Sequence, residues 1–330
     1  MDFFVCMELI IKPTSACNFA CTFCSAGKLH IKKTKRVPDQ IVNVINTIKP
    51  HTIILTGGDP LCVGMEYYDH LLSLGDFHIS LTTNLKSYFL NRDYWAPLLK
   101  NSRVGVATSF QYGNERLWDK NTVYSEEMFR KVMMTFYEDV GYMPSFITVI
   151  TKNNYKDAIK HAELARDLGT ICKINPVKAI GHSNESLPLY SMFDIWVELI
   201  KKDLWKYTDY KTQFLCGGCG FNTSHMCENC IRACWVDKDN NLKYSHCEEL
   251  LSWGIQIEQD TSKPLPIPYR LQFKDILKPD CYNCELFHLC NGCRVHRIGV
   301  ATTLDVDTYC CEMKKRIPII KQYGKDWKLA

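Results

Sequence analysis

Three cysteines near the start of the chain have the spacing of a metal-binding loop. Cys17, Cys21 and Cys24 form a Cys-x3-Cys-x2-Cys segment directly after a predicted strand. Three thiolates on a four-iron cluster leave one iron without a protein ligand, whereas an electron-transfer cluster usually has four cysteine ligands. Such an open iron is able to bind a substrate or a cofactor. A zinc site is the alternative, and it would need a fourth ligand, which His30 is close enough to supply.

A second group of cysteines lies in the last third of the chain. Of the 18 cysteines, twelve fall between Cys216 and Cys311. Cys-x2-Cys pairs occur there, among them Cys281 with Cys284 and Cys290 with Cys293. Twelve thiols can fill two four-iron clusters, although paired Cys-x2-Cys spacing is also a zinc pattern. The distribution predicts two metal-binding regions separated by a cysteine-poor scaffold.

The bulk composition favours an intracellular protein without a membrane span. Hydrophobic residues make up 46% and charged residues 23% of the chain, and the formal net charge is +4. The small charge excess does not by itself indicate a nucleic-acid partner. Residues 1–13 lack the features of a signal peptide, and no segment approaches the roughly 20 apolar residues of a membrane-spanning helix. We therefore expect a cytoplasmic protein with reduced thiols, not a secreted disulfide framework.

Residues 5–176 alternate between strand-like and helix-like segments. Six short apolar runs are typical of buried parallel strands: residues 5–12, 51–56, 77–82, 103–110, 145–151 and 170–176. Helical periodicity separates them, and Ser125 is a predicted N-cap of one helix. The alternation predicts an α/β fold, a partial (β/α)6 barrel of parallel strands with helices outside. Because the pattern stops near residue 206, we expect a core domain at residues 1–206 and a cysteine-rich domain at residues 207–330.

A basic segment, Lys28–Arg36, directly follows the cysteine triplet. It carries five cations and no acidic residue. A solvated loop is the simple interpretation. The alternative is a guide for an anionic substrate, such as an acidic peptide, a phosphate or a nucleic acid backbone.

Two motifs together resemble the signature of the radical SAM superfamily. The first is the cysteine triplet, with the aromatic Phe23 before its last cysteine. The second is Thr56-Gly57-Gly58-Asp59-Pro60, which is similar to that family's Gly-Gly-Glu-Pro motif with Asp in place of Glu. The resemblance covers roughly residues 5–206.

The resemblance implies which residues hold which cofactor. The triplet would bind a [4Fe-4S] cluster whose open iron chelates S-adenosylmethionine. Gly57, Gly58 and Asp59 would contact the methionine amino group, Ser109 the ribose, and Asn153 another part of the cofactor. Reductive cleavage would give a 5′-deoxyadenosyl radical that takes a hydrogen atom from the substrate. An electron donor such as flavodoxin or ferredoxin is implied as a partner.

The C-terminal cysteines resemble the SPASM extension of many radical SAM proteins, which carries two auxiliary [4Fe-4S] clusters. Residues 235–247 look like its first hairpin. By analogy, one auxiliary cluster would be held by Cys281, Cys284, Cys290 and Cys310. The other would be held by Cys230, Cys234, Cys247 and Cys293. The cysteines left unassigned are Cys216, Cys219, Cys227 and Cys311, and the first three could instead form a zinc site.

The expected function is therefore a radical SAM enzyme that modifies a peptide or protein, as many SPASM-containing relatives do. Cys62 and Cys172, both near predicted strand ends, are candidate hydrogen donors in such a reaction. One alternative is radical modification of a nucleoside or nucleic acid base, which the basic segment motivates. Another is a non-catalytic zinc protein that binds nucleic acid, and metal analysis would distinguish it from the two enzymes.

Overall fold

A computed structural model describes residues 8–179, 181–187, 189–209, 232–245, 306–316 and 322. Its strands are β1 (Glu8–Ile11), β2 (Thr52–Leu55), β3 (His78–Thr82), β4 (Val104–Ser109), β5 (Ser145–Ile150), β6 (Cys172–Pro176), β7 (Arg232–Val236) and β8 (Leu242–Ser245). Its α-helices are α1 (Asp39–Ile48), α2 (Met65–Leu72), α3 (Lys86–Leu90), α4 (Arg92–Leu99), α5 (Glu126–Val140), α6 (Ala158–Asp167), α7 (Leu189–Lys201) and α8 (Val306–Lys315). None of the helices in these ranges has the length and apolar character needed to cross a membrane.

The strands pair into one sheet in the order β6-β5-β4-β3-β2-β1-β7-β8. Strands β1 to β6 are parallel, and helices connect them, so the predicted α/β class with a parallel sheet is confirmed. The sheet nevertheless continues past residue 206, because β7 pairs in parallel with β1 and β8 pairs antiparallel with β7. The pairing of Ile10 with Ala233 joins segments more than 200 residues apart, and local sequence periodicity carries no signal for such a contact.

The helices pack against one face of the sheet. Strand residues on that face, such as Leu9, Ile53, Leu81 and Phe146, have no exposed surface and join one core with the helices. The other face carries partly exposed and mostly smaller side chains, among them Ser80, Thr82, Ala107, Ser109 and Ile147. Helices on one side and a partly open second face are expected of a partial barrel, since a doubly wound sheet is covered on both faces.

The hairpin of β7 and β8 extends the open face of the sheet beyond β1. Ala233 and Trp235 point to that face and pack with Ile10 and Ile31 in a small second core. The hairpin predicted from the sequence is thus present, and it belongs to the same sheet as the strands before residue 206.

The basic segment lies against the turn of this hairpin. The amide of Lys32 donates to the carbonyl oxygen of Val236 (2.9 Å), and the amide of Lys238 donates to the carbonyl oxygen of His30 (3.1 Å). Four cations of the segment are exposed: Lys32, Lys33, Lys35 and Arg36. The backbone of the segment is therefore held by hydrogen bonds while these four cations are exposed.

Side-chain hydrogen bonds fix the start of one helix and join two others. The hydroxyl of Ser125 accepts a hydrogen bond from the amide of Met128 (3.2 Å), so α5 begins at the predicted cap. Further along the chain, α8 is attached to α7 because the guanidinium of Arg316 donates to the carboxylate of Asp194 (2.9 Å).

Candidate functional site

The cysteine triplet lies in the loop after β1, at the carboxyl edge of the sheet, where parallel sheets place their ligand sites. The loop after β2 bonds to it through its backbone. The amide of Gly58 donates to the carbonyl oxygen of Thr14 (2.9 Å), and the amide of Asp59 donates to that of Ala16 (2.8 Å). A Cβ on Gly58 would lie 2.2 Å from the Ala16 oxygen, and one on Gly57, whose φ is +122°, would lie 2.8 Å from the Thr14 oxygen. Both glycines are therefore needed for two backbones to approach this closely.

The loop after β4 holds the middle of the triplet loop. The amides of Ala20 and Thr22 donate to the carbonyl oxygens of Leu117 (3.1 Å) and Glu115 (3.0 Å). The start of this β4 loop is held in turn by His161. Burial lowers the pKa of His161 to about 4, so its neutral ring accepts the amide hydrogen of Tyr112 (3.0 Å).

The loop after β6 holds the end of the triplet. The amide of His182 donates to the carbonyl oxygen of Cys24 (2.9 Å). A Cβ on Gly181, whose φ is +72°, would lie 2.2 Å from that same oxygen, so glycine is required here as well. Loops from β2, β4 and β6 thus contact the triplet loop on different parts of its length.

Hydrogen-bond donors surround two of the three sulfurs. The Sγ of Cys17 accepts from the amide of Phe19 (3.4 Å) and from the side-chain Nδ2 of Asn84 (3.5 Å). Desolvation raises the pKa of the Cys17 thiol to about 12, and burial raises the pKa of Cys24, while backbone amides oppose both shifts. Because a metal binds the thiolate and not the thiol, loading of this site releases protons.

Asp59 is engaged within the protein. The residue is 1% exposed, and its carboxylate accepts hydrogen bonds from the amide of Leu61 (2.9 Å), the hydroxyl of Thr83 (2.9 Å) and the amide of Asn84 (2.8 Å). Burial raises the pKa of Asp59, and these three donors oppose the rise. Asp59, which stands where the family motif has the longer Glu, therefore joins the Gly-Gly turn to the end of β3.

Arg116 is a buried cation beside the triplet. Its guanidinium carbon lies 5.2 Å from the ring centroid of Phe23, and one of its terminal nitrogens donates to the hydroxyl of Ser109 (2.8 Å). Its Nε is buried and has no partner among the described residues. Sequence reasoning missed this residue, because a single arginine in a stretch without periodicity does not stand out.

A second polar group lies where β4 and β5 end. The carboxylate of Glu115 accepts from the hydroxyl of Thr151 (2.7 Å) and from the side-chain amide of Asn153 (3.2 Å), which is exposed. Gln111 lies on the same β4 loop with both its side-chain polar atoms buried and unpartnered within the described residues. Of this group, sequence reasoning found only Asn153.

The two candidate hydrogen donors occupy different places. Cys62 is partly exposed at the end of the short 3-10 helix Pro60–Cys62, which follows the Gly-Gly turn. Cys172 is fully buried at the first residue of β6, on the face that packs against the helices. The triplet lies at the carboxyl edge, so the structure does not bring Cys172 to it.

The structure describes three of the C-terminal cysteines. Cys234 has no exposed surface and lies in the apolar core on the helix face of β7. Cys310 is partly buried and Cys311 is exposed on α8. The other predicted ligands lie outside the described residues: Cys230, Cys247, Cys281, Cys284, Cys290 and Cys293.

The side chains of the described residues are not arranged as a single-ion site. No three His, Cys, Asp or Glu side chains in these ranges, the triplet included, are gathered as one metal ion requires. Tetrahedral zinc with bonds of about 2.3 Å would bring its sulfurs to within about 3.8 Å of one another. Cysteines that bind three different irons of one cluster need not come so close. His30, the suggested fourth zinc ligand, is exposed.

Comparison with known proteins places these features in a family. The family model described as Radical SAM superfamily matches residues 11–187. Among solved structures, hexahistidine-tagged anSMEcpe with bound AdoMet is 19% identical, with a TM-score of 0.62 over 93% of this chain and 94% of that chain. Native anSMEcpe with bound AdoMet and Cp18Cys peptide is 18% identical, with a TM-score of 0.64 over 97% and 99%. Streptococcus suis SuiB is 16% identical, with a TM-score of 0.59 over 88% and 74%.

A comparison with curated protein sequences finds no match. At 16–19% identity, the three structures speak to the fold alone. The matched residues 11–187 include the triplet, the Gly-Gly turn, Arg116 and the loop after β6.

Proposed function

We propose, since this chain belongs to the radical SAM superfamily, that Cys17, Cys21 and Cys24 hold a [4Fe-4S] cluster and that S-adenosylmethionine binds beside it. The protein is a radical SAM enzyme by its family. One-electron cleavage of the sulfonium, followed by hydrogen abstraction from a substrate, is the chemistry that cluster and cofactor supply when bound. The observation that carries the proposal is the convergence of the loops after β2, β4 and β6 on the triplet loop.

The surroundings of the triplet fit this cluster. Thiolates are the ligands that iron–sulfur clusters use, and donors to their sulfurs offset the negative charge that thiolates bring. Phe19 and Asn84 supply such donors to Cys17, and the amides of Ala26 and Gly27 supply them to Cys24.

Arg116 is the residue of this site that we assign to the carboxylate of the cofactor's methionine. Its buried Nε has no partner in the described structure, and a guanidinium binds a carboxylate through two parallel hydrogen bonds. Ser109 holds the opposite side of the guanidinium, and Phe23 supports its face. We propose that Ser109 contacts the ribose beside Arg116, as the family resemblance implies. Asn153, bonded to Glu115, is proposed to contact another part of the cofactor.

Replacement of Arg116 by Gln is expected to weaken binding of S-adenosylmethionine about 10- to 100-fold, because a hydrogen bond to a charged group is lost. Gln can still donate to Ser109, so the loop is expected to keep its shape. Anaerobic equilibrium dialysis measures the affinity, and iron analysis shows that the cluster is retained. The control is Arg166→Gln on the surface of α6, where the guanidinium pairs with the neighbouring Asp167. Equal affinities of the wild type and Arg116→Gln would contradict the assignment.

The substrate that we propose is a peptide or protein side chain or backbone. Native anSMEcpe is described with a bound Cp18Cys peptide, and its alignment spans 97% of this chain. The number and spacing of the C-terminal cysteines support the further proposal of a SPASM-type extension with two auxiliary [4Fe-4S] clusters. Their proposed ligands are Cys281, Cys284, Cys290 and Cys310 for one cluster, and Cys230, Cys234, Cys247 and Cys293 for the other. We further propose a cytoplasmic location and reduction by a flavodoxin or ferredoxin.

The substrate class is tested by mass spectrometry after anaerobic reaction of the reconstituted enzyme with S-adenosylmethionine and reductant. A peptide library and single-stranded DNA are offered in parallel. We expect a mass change in peptides that depends on S-adenosylmethionine, with release of 5′-deoxyadenosine. Modification of DNA alone would overturn the peptide proposal in favour of a nucleic acid base.

The basic segment provides a second discrimination between these classes. Its exposed cations are Lys32, Lys33, Lys35 and Arg36. If nucleic acid were the substrate, association with DNA would fall steeply with salt and would be lost when these four residues are neutralised. For a peptide substrate, the neutral variant is expected to modify peptides as the wild type does.

A further inference from the structure

We infer that Asn84 is a positioning residue that sets the reduction potential of the cluster through its hydrogen bond to Cys17, and that Asp59 acts on the cluster by holding Asn84. The inference rests on the proposed cluster. Asp59, the acid of the Gly-Gly-Asp motif, then acts by holding a residue that contacts a metal ligand.

The side chain of Asn84 is oriented by three hydrogen bonds. Its Nδ2 donates to the Sγ of Cys17 (3.5 Å) and to the Oδ1 of Asn18 (2.8 Å), while its Oδ1 accepts from the amide of Lys86 (2.8 Å). A flipped amide would place an oxygen against the Asn18 oxygen and a nitrogen against the Lys86 amide, so the network fixes which atom faces the sulfur. The side chain is 6% exposed.

Asp59 and Thr83 hold the backbone of Asn84. The amide of Asn84 donates to the carboxylate of Asp59 (2.8 Å), and the hydroxyl of Thr83 donates to both oxygens of that carboxylate. The same Thr83 hydroxyl accepts from the amide of Leu85 (3.1 Å), which has a left-handed φ of 63°. A leucine seldom adopts this conformation, so the turn that places Asn84 under Cys17 is held by these bonds.

The network continues on the other side of Asn18. Its Nδ2 donates to the hydroxyl of Ser87 (2.9 Å), so Asn18 has its carbonyl oxygen free to accept from Asn84. A buried polar chain therefore runs from Asp59 through Asn84 to the triplet loop. Such a chain stays in one arrangement because each break would leave a buried polar atom without a partner.

A donor aimed at a ligand sulfur favours the reduced cluster, since reduction adds negative charge that the donor stabilises. The donors to Cys24 are backbone amides, which substitution cannot remove. Asn84 donates from its side chain, so its contribution to the reduction potential can be isolated by mutation.

The test compares Asn84→Leu with Asn154→Leu. Asn154 is a matched control because its side chain is also buried and makes three hydrogen bonds, to Thr151, Tyr112 and Val149, none of them to a sulfur. Potentiometric titration is followed by electron paramagnetic resonance, and signals missing from Cys21→Ala are assigned to this cluster. At a fixed solution potential we expect Asn84→Leu to lower the ratio of reduced to oxidised cluster about three- to tenfold. Asn154→Leu is expected to lower the melting temperature without changing this ratio.

Unchanged reduced fractions in Asn84→Leu, with the cluster present, would overturn the inference. If Asn84→Leu fails to take up iron, Asn84→Asp is measured in its place. This variant keeps the shape of the side chain, removes the donor and adds negative charge. Its reduced fraction is expected to fall below that of the wild type by more than the change expected for leucine. If both Asn84 variants lose iron while having the same melting temperature as Asn154→Leu, which keeps it, the loss is local to the triplet loop. Such a loss supports the positioning role. Absence of a triplet cluster from the wild type would instead refute the proposed function.

Discussion

Replacing Cys21 by alanine is expected to abolish both the triplet cluster and cleavage of S-adenosylmethionine. Two thiolates cannot retain a cluster that needs three protein ligands and one open iron. The variant should bind about four fewer iron atoms per chain than the wild type after anaerobic reconstitution. Release of 5′-deoxyadenosine in the presence of dithionite should fall to the rate measured without enzyme. Iron and sulfide analysis and chromatography of the nucleoside measure the two effects.

Cys311→Ala is the control for loss of a thiol as such. Cys311 is exposed on α8, remote in sequence from the triplet. Its loss is expected to leave the nucleoside release unchanged. If Cys21→Ala still releases 5′-deoxyadenosine at the wild-type rate, the triplet is not the cluster site. If the wild type contains zinc and no iron at the triplet, the zinc alternative with a nucleic-acid partner takes its place.

The parallel strands and the triplet could be predicted from the sequence because both depend on local signals. Short apolar runs such as residues 51–56 indicate parallel strands, and they correspond to β1–β6. The cap at Ser125 was also predictable, because a hydroxyl directly before a helical stretch can accept a hydrogen bond from an amide of the first turn. The spacing of the triplet is itself local, and so is the Gly-Gly turn.

Features that depend on contacts between distant segments could not be predicted. Arg116 and Asn84 each meet the triplet loop only after the chain has folded, and neither residue type is unusual where it stands. The pairing of β7 with β1 is a contact of the same kind, which no local periodicity encodes.

The surroundings of Cys172 and Cys234 could not be predicted from the sequence for the same reason. Both lie on alternating strand positions that face the helices and are buried there. The sequence shows how many thiols there are, but the face of a strand to which each one points depends on which side the helices cover. For Asp59 the sequence shows the motif but not the partners of the carboxylate. These partners, Thr83 and Asn84, follow the next strand along the chain and bind the carboxylate within the protein.

Gly58→Ala is expected to reduce cleavage of S-adenosylmethionine at least about 100-fold, since displacement of a reacting group by about 1 Å can cost that much. The added Cβ would lie 2.2 Å from the carbonyl oxygen of Ala16 and 2.7 Å from the carbonyl carbon of Ser15, both backbone atoms that cannot move aside alone. The triplet loop must shift, which breaks the bonds from Gly58 to Thr14 and from Asp59 to Ala16. Iron uptake should fall together with nucleoside release.

Gly105→Ala is the matched control, because it makes the same chemical change in β4 where space is open. The nearest atom to its added Cβ is the carbonyl oxygen of Ile79 at 4.0 Å, and no backbone strain opposes alanine there. This variant should keep iron and activity, with stability unchanged or raised by up to about 1 kcal/mol, because alanine restricts the unfolded chain. Melting temperatures of both variants separate a general loss of folding from a local shift of the loop. Full iron uptake and wild-type nucleoside release by Gly58→Ala would show that the close approach of the two loops is not what places the triplet.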